Sequence, residues 1–377
     1  MKVLHSYKVY RPDLDGGIPF VIATLSQLIR DGVENNILVA RLHGLSKRYV
    51  FDGVPVEAVT SLGTFFSTPL APSFPFTLLR RALSYDLVVH HAPFPLADIA
   101  LSHLPQNVAL IVYWHAEIAR YKLLKRLVSP AIFRTLQRAD RIVVADRATI
   151  ENSDFLPRFA EKCSIVPFGT DVDFWSICTK EEAAAAQMLR TKSPRMVLAI
   201  GRFVSYKGFD VLLKAMKTVD GQAVLIGDGP LLGELRQKAF DIGIADRVIF
   251  TGRTTPNEIK TFMHAARVLA FPSTTRAEAF GIVQLEAMAA GLPIVNTALR
   301  TAVPNIARHG KEALTVPPND PLALAAAIQS IIDEPASASR LGQAGQLRAR
   351  TEYSLSAYAS RMAKIYDDVV SMKRPSA

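Results

Sequence analysis

The chain has 377 residues, 49% of them hydrophobic and 21% charged, with a formal net charge of +10. This composition belongs to a folded globular protein and excludes a disordered one, and the length suits two domains of about 180 residues each. Two cysteines, Cys163 and Cys178, are too few and too far apart for a disulfide framework or a metal cluster, which points to a reducing compartment.

The opening MKVLHSYKVYRP interrupts its apolar patch with His5 and Lys8, so it does not read as a signal peptide. Residues 3–7 read as a first strand, followed by the turn Asp13-Leu14-Asp15-Gly16-Gly17. A helix comes next, with Val21, Leu25, Leu28 and Ile29 at helical spacing and Gly32 at its end. Strand, glycine pair and helix is how α/β proteins bring backbone close to phosphate, although most such turns merely turn. Strands are expected over 36–41 and 54–59. The Pro- and Phe-rich stretch 64–76 reads as a mobile acceptor-side loop or an irregular connection.

Residues 86–91 (DLVVHH) and 109–115 (ALIVYWH) read as buried parallel strands with histidines at their carboxyl ends, where open α/β sheets bind ligands. His115 is the better site candidate of these. No apolar run reaches the ~18–20 residues of a membrane helix; Leu87 to Trp114 is broken by His90, His91, Asp98 and His103. Between Ala119 and Arg141 seven basic residues face a single Asp140, with apolar residues interleaved. Such a helix suits an anionic membrane surface or a phosphorylated acceptor, or else simply packs its apolar side in the core. No nucleic-acid motif accompanies the charge.

Strands over 141–145 and 165–170 close the first half. Ser176 to Pro194 is rich in Ala, Glu and Lys and reads as the linker and a peripheral helix. A second series then alternates strands (196–200, 223–226, 248–250, 268–271, 293–296) with helices (211–216, 231–239, 256–266). The alternation predicts a second doubly wound parallel sheet. The expected domains are 1–180 and 181–354, two Rossmann-like units with a ligand cleft between them, and a last helix near 355–377.

Chemistry concentrates in the second half. Arg202 and Lys207 lie five positions apart in GRFVSYKG, across a turn capped by Gly208. An arginine can grip a phosphate bidentately and a lysine acts as a point charge. Gly229 in GDGP and Arg253 in TGR follow the next two strands and read as donor-binding positions. In AFPSTTRAEAFGIVQLEAMAAGLP, Glu278 precedes a helix expected to start at Phe280–Gly281, and Glu286 lies eight positions later. A rise of 1.5 Å per residue places Glu286 roughly 7 Å along the axis, about the span of a sugar and a phosphate over a helix N-terminus.

GRFVSYKG, IGDGP and E-AFGIVQL-E, together with the glycine pair, the histidine after an early strand, VPFGTD and the last helix, resemble the family-four glycosyltransferases of GT-B fold. The resemblance spans nearly the whole chain. It implies that Arg202 and Lys207 neutralise the diphosphate of a nucleotide sugar and that Glu278 holds hydroxyls of the transferred sugar. Phe280, Gly281 and Ile282 would offer amides, Glu286 would accept from the ribose, Gly16 and Gly17 would face phosphates, and His115 would sit near the sugar. It also implies retention of anomeric configuration, no metal and no cofactor beyond the donor substrate. The opening style resembles bacterial surface-polysaccharide transferases using GDP-mannose or GDP-rhamnose. This places the enzyme in the cytoplasm, with peripheral attachment to the inner membrane face as the reading of 119–141. A UDP-sugar transferase and a nucleotide-sugar 2-epimerase of the same architecture are the alternatives. Two departures stand out: Pro19, where the family often has glutamate, and Ala302 and Ala313 where glycines are common.

Overall fold

The computed structural model describes residues 1–14, 16–65, 68–116 and 122–373, with side chains of the last segment described from Lys125 onward. The chain divides into two compact units: Met1–Pro167 with the chain from Tyr358 onward, and Phe168–Ala357. The division precedes the expected 180/181 because the intervening segment is bonded to the second unit. Thr170 donates its amide to the Tyr353 carbonyl at 2.8 Å and accepts from the Leu355 amide at 3.2 Å. His264 Nε2 lies 2.8 Å from the Trp175 carbonyl.

In the first unit β1 (Lys2–Ser6), α1 (Gly17–Leu28), β2 (Glu34–Ala40), β3 (Lys47–Phe51) and β4 (Val54–Val59) precede a short hairpin, β5 (Thr64–Phe65) and β6 (Thr68–Pro69). Then come α2 (Phe74–Ala82), β7 (Leu87–Ala92), α3 (Pro95–Leu101), β8 (Ala109–Trp114), α4 (Lys122–Arg138), β9 (Arg141–Val144), α5 (Arg147–Glu151) and β10 (Cys163–Ile165). The sheet order is β10-β9-β8-β7-β1-β2-β4-β3, with β3 antiparallel to β4. β7 and β8 are buried along their whole length, as central strands of a parallel sheet should be, His90 and His91 of β7 included. Within 64–76 the described residues form the β5–β6 pair and the entry to α2, and 66–67 lie outside the described residues.

The second unit contains α6 (Val172–Ser176), α7 (Lys180–Lys192), β11 (Met196–Ile200), α8 (Phe209–Ala215), β12 (Gln222–Ile226), α9 (Leu232–Asp241), β13 (Val248–Gly252) and α10 (Pro256–Ala265). It continues with β14 (Val268–Ala270), α11 (Val283–Ala290), β15 (Ile294–Thr297), α12 (Val303–Ile306), β16 (Ala313–Val316), α13 (Pro321–Asp333) and α14 (Pro335–Glu352). Its sheet runs β13-β12-β11-β14-β15-β16, parallel throughout. The last helix, α15 (Leu355–Ser371), returns the chain to the first unit. There the Tyr358 and Tyr113 hydroxyls meet at 3.2 Å, and Lys373 Nζ pairs with Asp140 Oδ1 at 2.7 Å. Both sheets are therefore Rossmann-like, as expected.

The basic segment is partly structural. Residues 119–121 lie outside the described residues. Arg138 is buried and donates to the carbonyls of Leu104, Pro105 and Val108 at 2.8, 2.5 and 2.6 Å. Lys125 pairs with Asp154, whereas Arg126, Leu127 and Arg134 are exposed. A buried guanidinium satisfying three carbonyls is difficult to replace, because those acceptors then stand desolvated and unpaired. Arg138→Met should lower unfolding stability by ~3 kcal/mol, measured by urea denaturation.

Candidate active site

Strand order in the second sheet reverses between β11 and β14, and in open α/β sheets the crevice at such a point takes the ligand. The loop 201–208 leaves β11 and the segment 271–282 leaves β14. They touch because Gly208 has φ 69°, and a Cβ there would lie 2.0 Å from the Pro272 carbonyl oxygen. The Thr274 amide donates to the Tyr206 carbonyl at 2.8 Å and ties the two segments together.

This contact sets Lys207 Nζ 2.5 Å from Glu278 Oε2, which also accepts from Ser273 Oγ at 3.0 Å. Glu278 is buried, and the Lys207 side chain is 16% exposed. The ammonium also stands 5.3 Å from the centre of the Phe271 ring. Tyr206 completes the cluster. Burial raises its hydroxyl pKa, while Lys207 lowers it, Glu278 raises it and Arg202 lowers it, so three charges surround one phenol. Arg202 itself is exposed and makes no ion pair among the described residues.

The second carboxylate sits differently from expectation. α11 starts at Val283, not at Phe280–Gly281, because Gly281 adopts φ 87°, a left-handed conformation outside any helix. A Cβ at Gly281 would come within 2.6 Å of Phe271 Cζ, so the close approach also requires glycine. Glu286 is thus about 4.5 Å along the axis from the helix start, shorter than the span inferred from sequence. It has no cationic partner among the described residues, and burial pushes its carboxyl up to about 7. The Phe280, Gly281 and Ile282 amides have no protein acceptor among the described residues. The Phe280 ring packs edge-on against Phe168 at 4.7 Å.

A buried amide network holds α11 against the segment after β15. Asn296 Nδ2 donates to Gln284 Oε1 and to the Ala307 carbonyl, both at 2.9 Å, and Thr315 Oγ1 donates to Asn296 Oδ1 at 2.7 Å. Ala302 and Ala313 are fully buried inside this anchored region, so the missing glycines are packing positions.

The remaining site residues are dispersed. At Gly229 a Cβ would lie 2.5 Å from the Phe203 carbonyl oxygen, so packing of its own loop accounts for that glycine. Arg253 follows β13, exposed and without an ion pair among the described residues. In the first unit, Gly16 and Gly17 open α1, and a Cβ at either would meet nothing within 4 Å. His115 follows β8, buried, with Nε2 at 2.9 Å from His91 Nδ1 and the two rings stacked. Burial holds the His115 pKa down at about 3, so it is neutral. Sequence reasoning missed Ser273, Tyr206 and the partners of His115. The doubled histidine ending DLVVHH was the available signal for the last of these. A concavity of about 440 Å³ lies in the first unit, and one of about 460 Å³ is lined by Val204, Ser205 and Thr274 of the two site segments; neither is lined by Arg202, Lys207, Glu278 or Glu286.

Residues 180–348 match the family described as glycosyl transferases group 1, and residues 15–174 match glycosyltransferase family 4. A D-rhamnosyltransferase of Pseudomonas aeruginosa, WbpZ, is 31% identical over 93% of this chain and 91% of its own length. This chain belongs to glycosyltransferase family 4. An Escherichia coli O-antigen chain mannosyltransferase is 29% identical to this family 4 glycosyltransferase over 92% of it and 93% of the relative. The GT-B fold is shared with Anabaena HepE, solved with UDP, at a TM-score of 0.81, 20% identity and coverage of 98% and 100% of the two chains. It is shared too with a sucrose-phosphate synthase of Thermosynechococcus elongatus, at a TM-score of 0.79, 22% identity and coverage of 98% and 99%. Among the described residues no helix is long and apolar enough to cross a membrane.

The raised Glu286 carboxyl makes stability depend on pH in the glycosyltransferase. Between its ordinary 4.5 and about 7 the folded state holds a proton that the unfolded state releases. Rising pH therefore weakens folding, fully above about 7 and not at all below about 4.5. Glu286→Gln should be more stable than the parent near pH 8 by ~1–3 kcal/mol, with no gain near pH 4, in urea titrations at the two pH values.

Proposed function

We propose that this glycosyltransferase moves a hexose from a nucleotide diphosphate sugar, GDP-mannose or a related GDP-sugar, to a glycan or lipid-linked acceptor in bacterial surface-polysaccharide synthesis. The observation that carries the reading is the Lys207–Glu278–Ser273 cluster beside Arg202 and the open amides before α11. An arriving diphosphate presents more negative charge to Lys207 than a single carboxylate does. Lys207 would turn to it, joined by Arg202, and the lone pairs released on Glu278 would accept sugar hydroxyls. Glu286 would accept from the ribose.

Transfer would retain configuration. The bond from the anomeric carbon to the phosphate oxygen breaks and the bond to the acceptor oxygen forms on the same face. The acceptor proton passes to the leaving phosphate oxygen, which fits a cluster with no side chain placed as a general base. Two cations and the amides before α11 would stabilise the departing diphosphate, a task elsewhere given to a divalent metal. Gly16 and Gly17, open above their Cα atoms, would face a phosphate, and His115 a hydroxyl. Support for the sugar comes from relatives named as a D-rhamnosyltransferase and a mannosyltransferase. HepE, solved with UDP, keeps UDP-sugars as the second reading. Exposed Arg126, Leu127 and Arg134 are the part of α4 that would touch an anionic membrane face at the cytoplasmic side.

Purified protein, treated with EDTA, is incubated with GDP- and UDP-sugars with and without lipid-linked acceptor. Acceptor-dependent release of GDP, and a product with the donor's anomeric configuration, are expected. Epimerised donor without acceptor would overturn the transferase reading, UDP release would move the donor, and activity restored only by Mg²⁺ would refute metal independence. In the same assay Lys207→Ala should lower turnover at least about 100-fold, ~2.7 kcal/mol of transition-state stabilisation.

A further inference from the structure

Three neighbouring strands of the first sheet, β1, β7 and β8, each contribute a histidine to one buried row. His5 Nδ1 lies 3.1 Å from His91 Nε2, and His91 Nδ1 lies 2.9 Å from His115 Nε2. The row begins at Asn35 on β2, whose Oδ1 lies 3.2 Å from His5 Nε2. The Asn35 amide cannot turn over, because its Nδ2 already donates to the Ile29 carbonyl at 2.6 Å and the Ser26 carbonyl at 3.3 Å. A turned amide would set an oxygen against two carbonyl oxygens.

The proton positions follow one from the next. Asn35 Oδ1 can only accept, so His5 Nε2 carries the proton and His5 Nδ1 is bare. His91 Nε2 must then donate to it, which leaves His91 Nδ1 bare, and His115 Nε2 must donate in turn. Each ring carries one proton because burial keeps all three neutral, with His5 lowered to about 4, His115 to about 3 and His91 well below its ordinary value. His90 points away from the row toward Asp98, its Nε2 at 3.6 Å from Oδ1.

We propose that Asn35, acting through His5 and His91, holds His115 in the tautomer that carries its proton on Nε2 and keeps Nδ1 as an acceptor. Asn35, His5 and His91 are then positioning residues. Resting on the proposed sugar-transfer function, the inference deepens it: His115 Nδ1, buried in the ligand-free protein, can only accept, so a sugar group that reaches it must be a donor.

The test is imidazole ¹⁵N NMR on the full, ligand-free protein at neutral pH, with each histidine assigned by substitution. The wild type should show the proton on Nε2 of His5, His91 and His115 alike. His5→Phe and His91→Phe cut the row at two links while leaving the Asn35 bonds to α1 in place. A His115 population protonated on Nδ1 should appear in both, with donor kcat/KM reduced about tenfold. A wild-type His115 protonated on Nδ1, or a His115 held wholly as Nε2–H in folded His5→Phe and His91→Phe proteins, would overturn the proposal. Should one variant fail to fold, the other and the wild type still decide. The tautomer is read without substrate, so a failure to find transfer with any donor would strike the proposed function and leave this result standing.

Discussion

The contact between Lys207 and Glu278 is the constraint on which the second unit's site depends. The two residues are far apart in the chain and meet only because β11 and β14 are adjacent parallel strands whose carboxyl ends open at the point of order reversal. Burying either charge alone would be prohibitive, since an isolated ammonium or carboxylate loses several kcal/mol of hydration and would neutralise instead. Paired, each is the other's counter-ion inside a largely closed cluster. Such a pair is also easily exchanged. A polyanion that satisfies the ammonium better does not strand the carboxylate, because Ser273 Oγ still donates to it.

The same rule, applied where no opposite charge is at hand, gives neutral groups. Glu286 has no cation beside it and its carboxyl rises to about 7, close to half-protonated in neutral solution. The histidine row of the first unit goes further, since its members have one another and an amide as partners. Each ring gives up its charge and gains a directed hydrogen bond. Burial with a counter-ion therefore yields a charged, exchangeable contact in one unit. Burial with neutral partners yields a fixed proton order in the other.

What was legible in the sequence follows from which forces are local. β11 coincides with its apolar run, because a strand buried on both faces shows itself by composition, and β4 coincides with its alternation of buried Val54, Val56 and Ala58 with Pro55 and Glu57. β3 escaped notice because Lys47 and Arg48 are exposed on an edge strand, where charge is tolerated and apolar periodicity is lost. The start of α11 was misplaced because Gly281 serves a turn against Phe271 rather than the helix. Identities of Arg202, Lys207, Glu278 and Glu286 were visible as motif residues. Their arrangement was not, because it depends on strand order. Arg138 reads as a surface cation in an amphipathic pattern, and only the tertiary structure shows the three carbonyls it binds.

That last point bears on the net charge of +10. Some basic residues are consumed by backbone carbonyls and pair with no carboxylate among the described residues. Arg247 donates to the carbonyls of Met216, Val219 and Gly221, and Lys162 to those of Gln137 and Ala139. A cation satisfied in this way keeps its charge while needing no acidic partner, so an excess of positive charge does not by itself demand a nucleic acid or a membrane. Four of the cations left over in the second unit have a common address. Arg202, Arg253, Arg276 and Arg300 follow β11, β13, β14 and β15, all exposed and none in an ion pair among the described residues. Four unneutralised guanidinium groups at the carboxyl edge of one parallel sheet add to the dipoles of the helices that begin there. The resulting positive field is aimed at the crevice and would draw in an anionic ligand before any single contact forms.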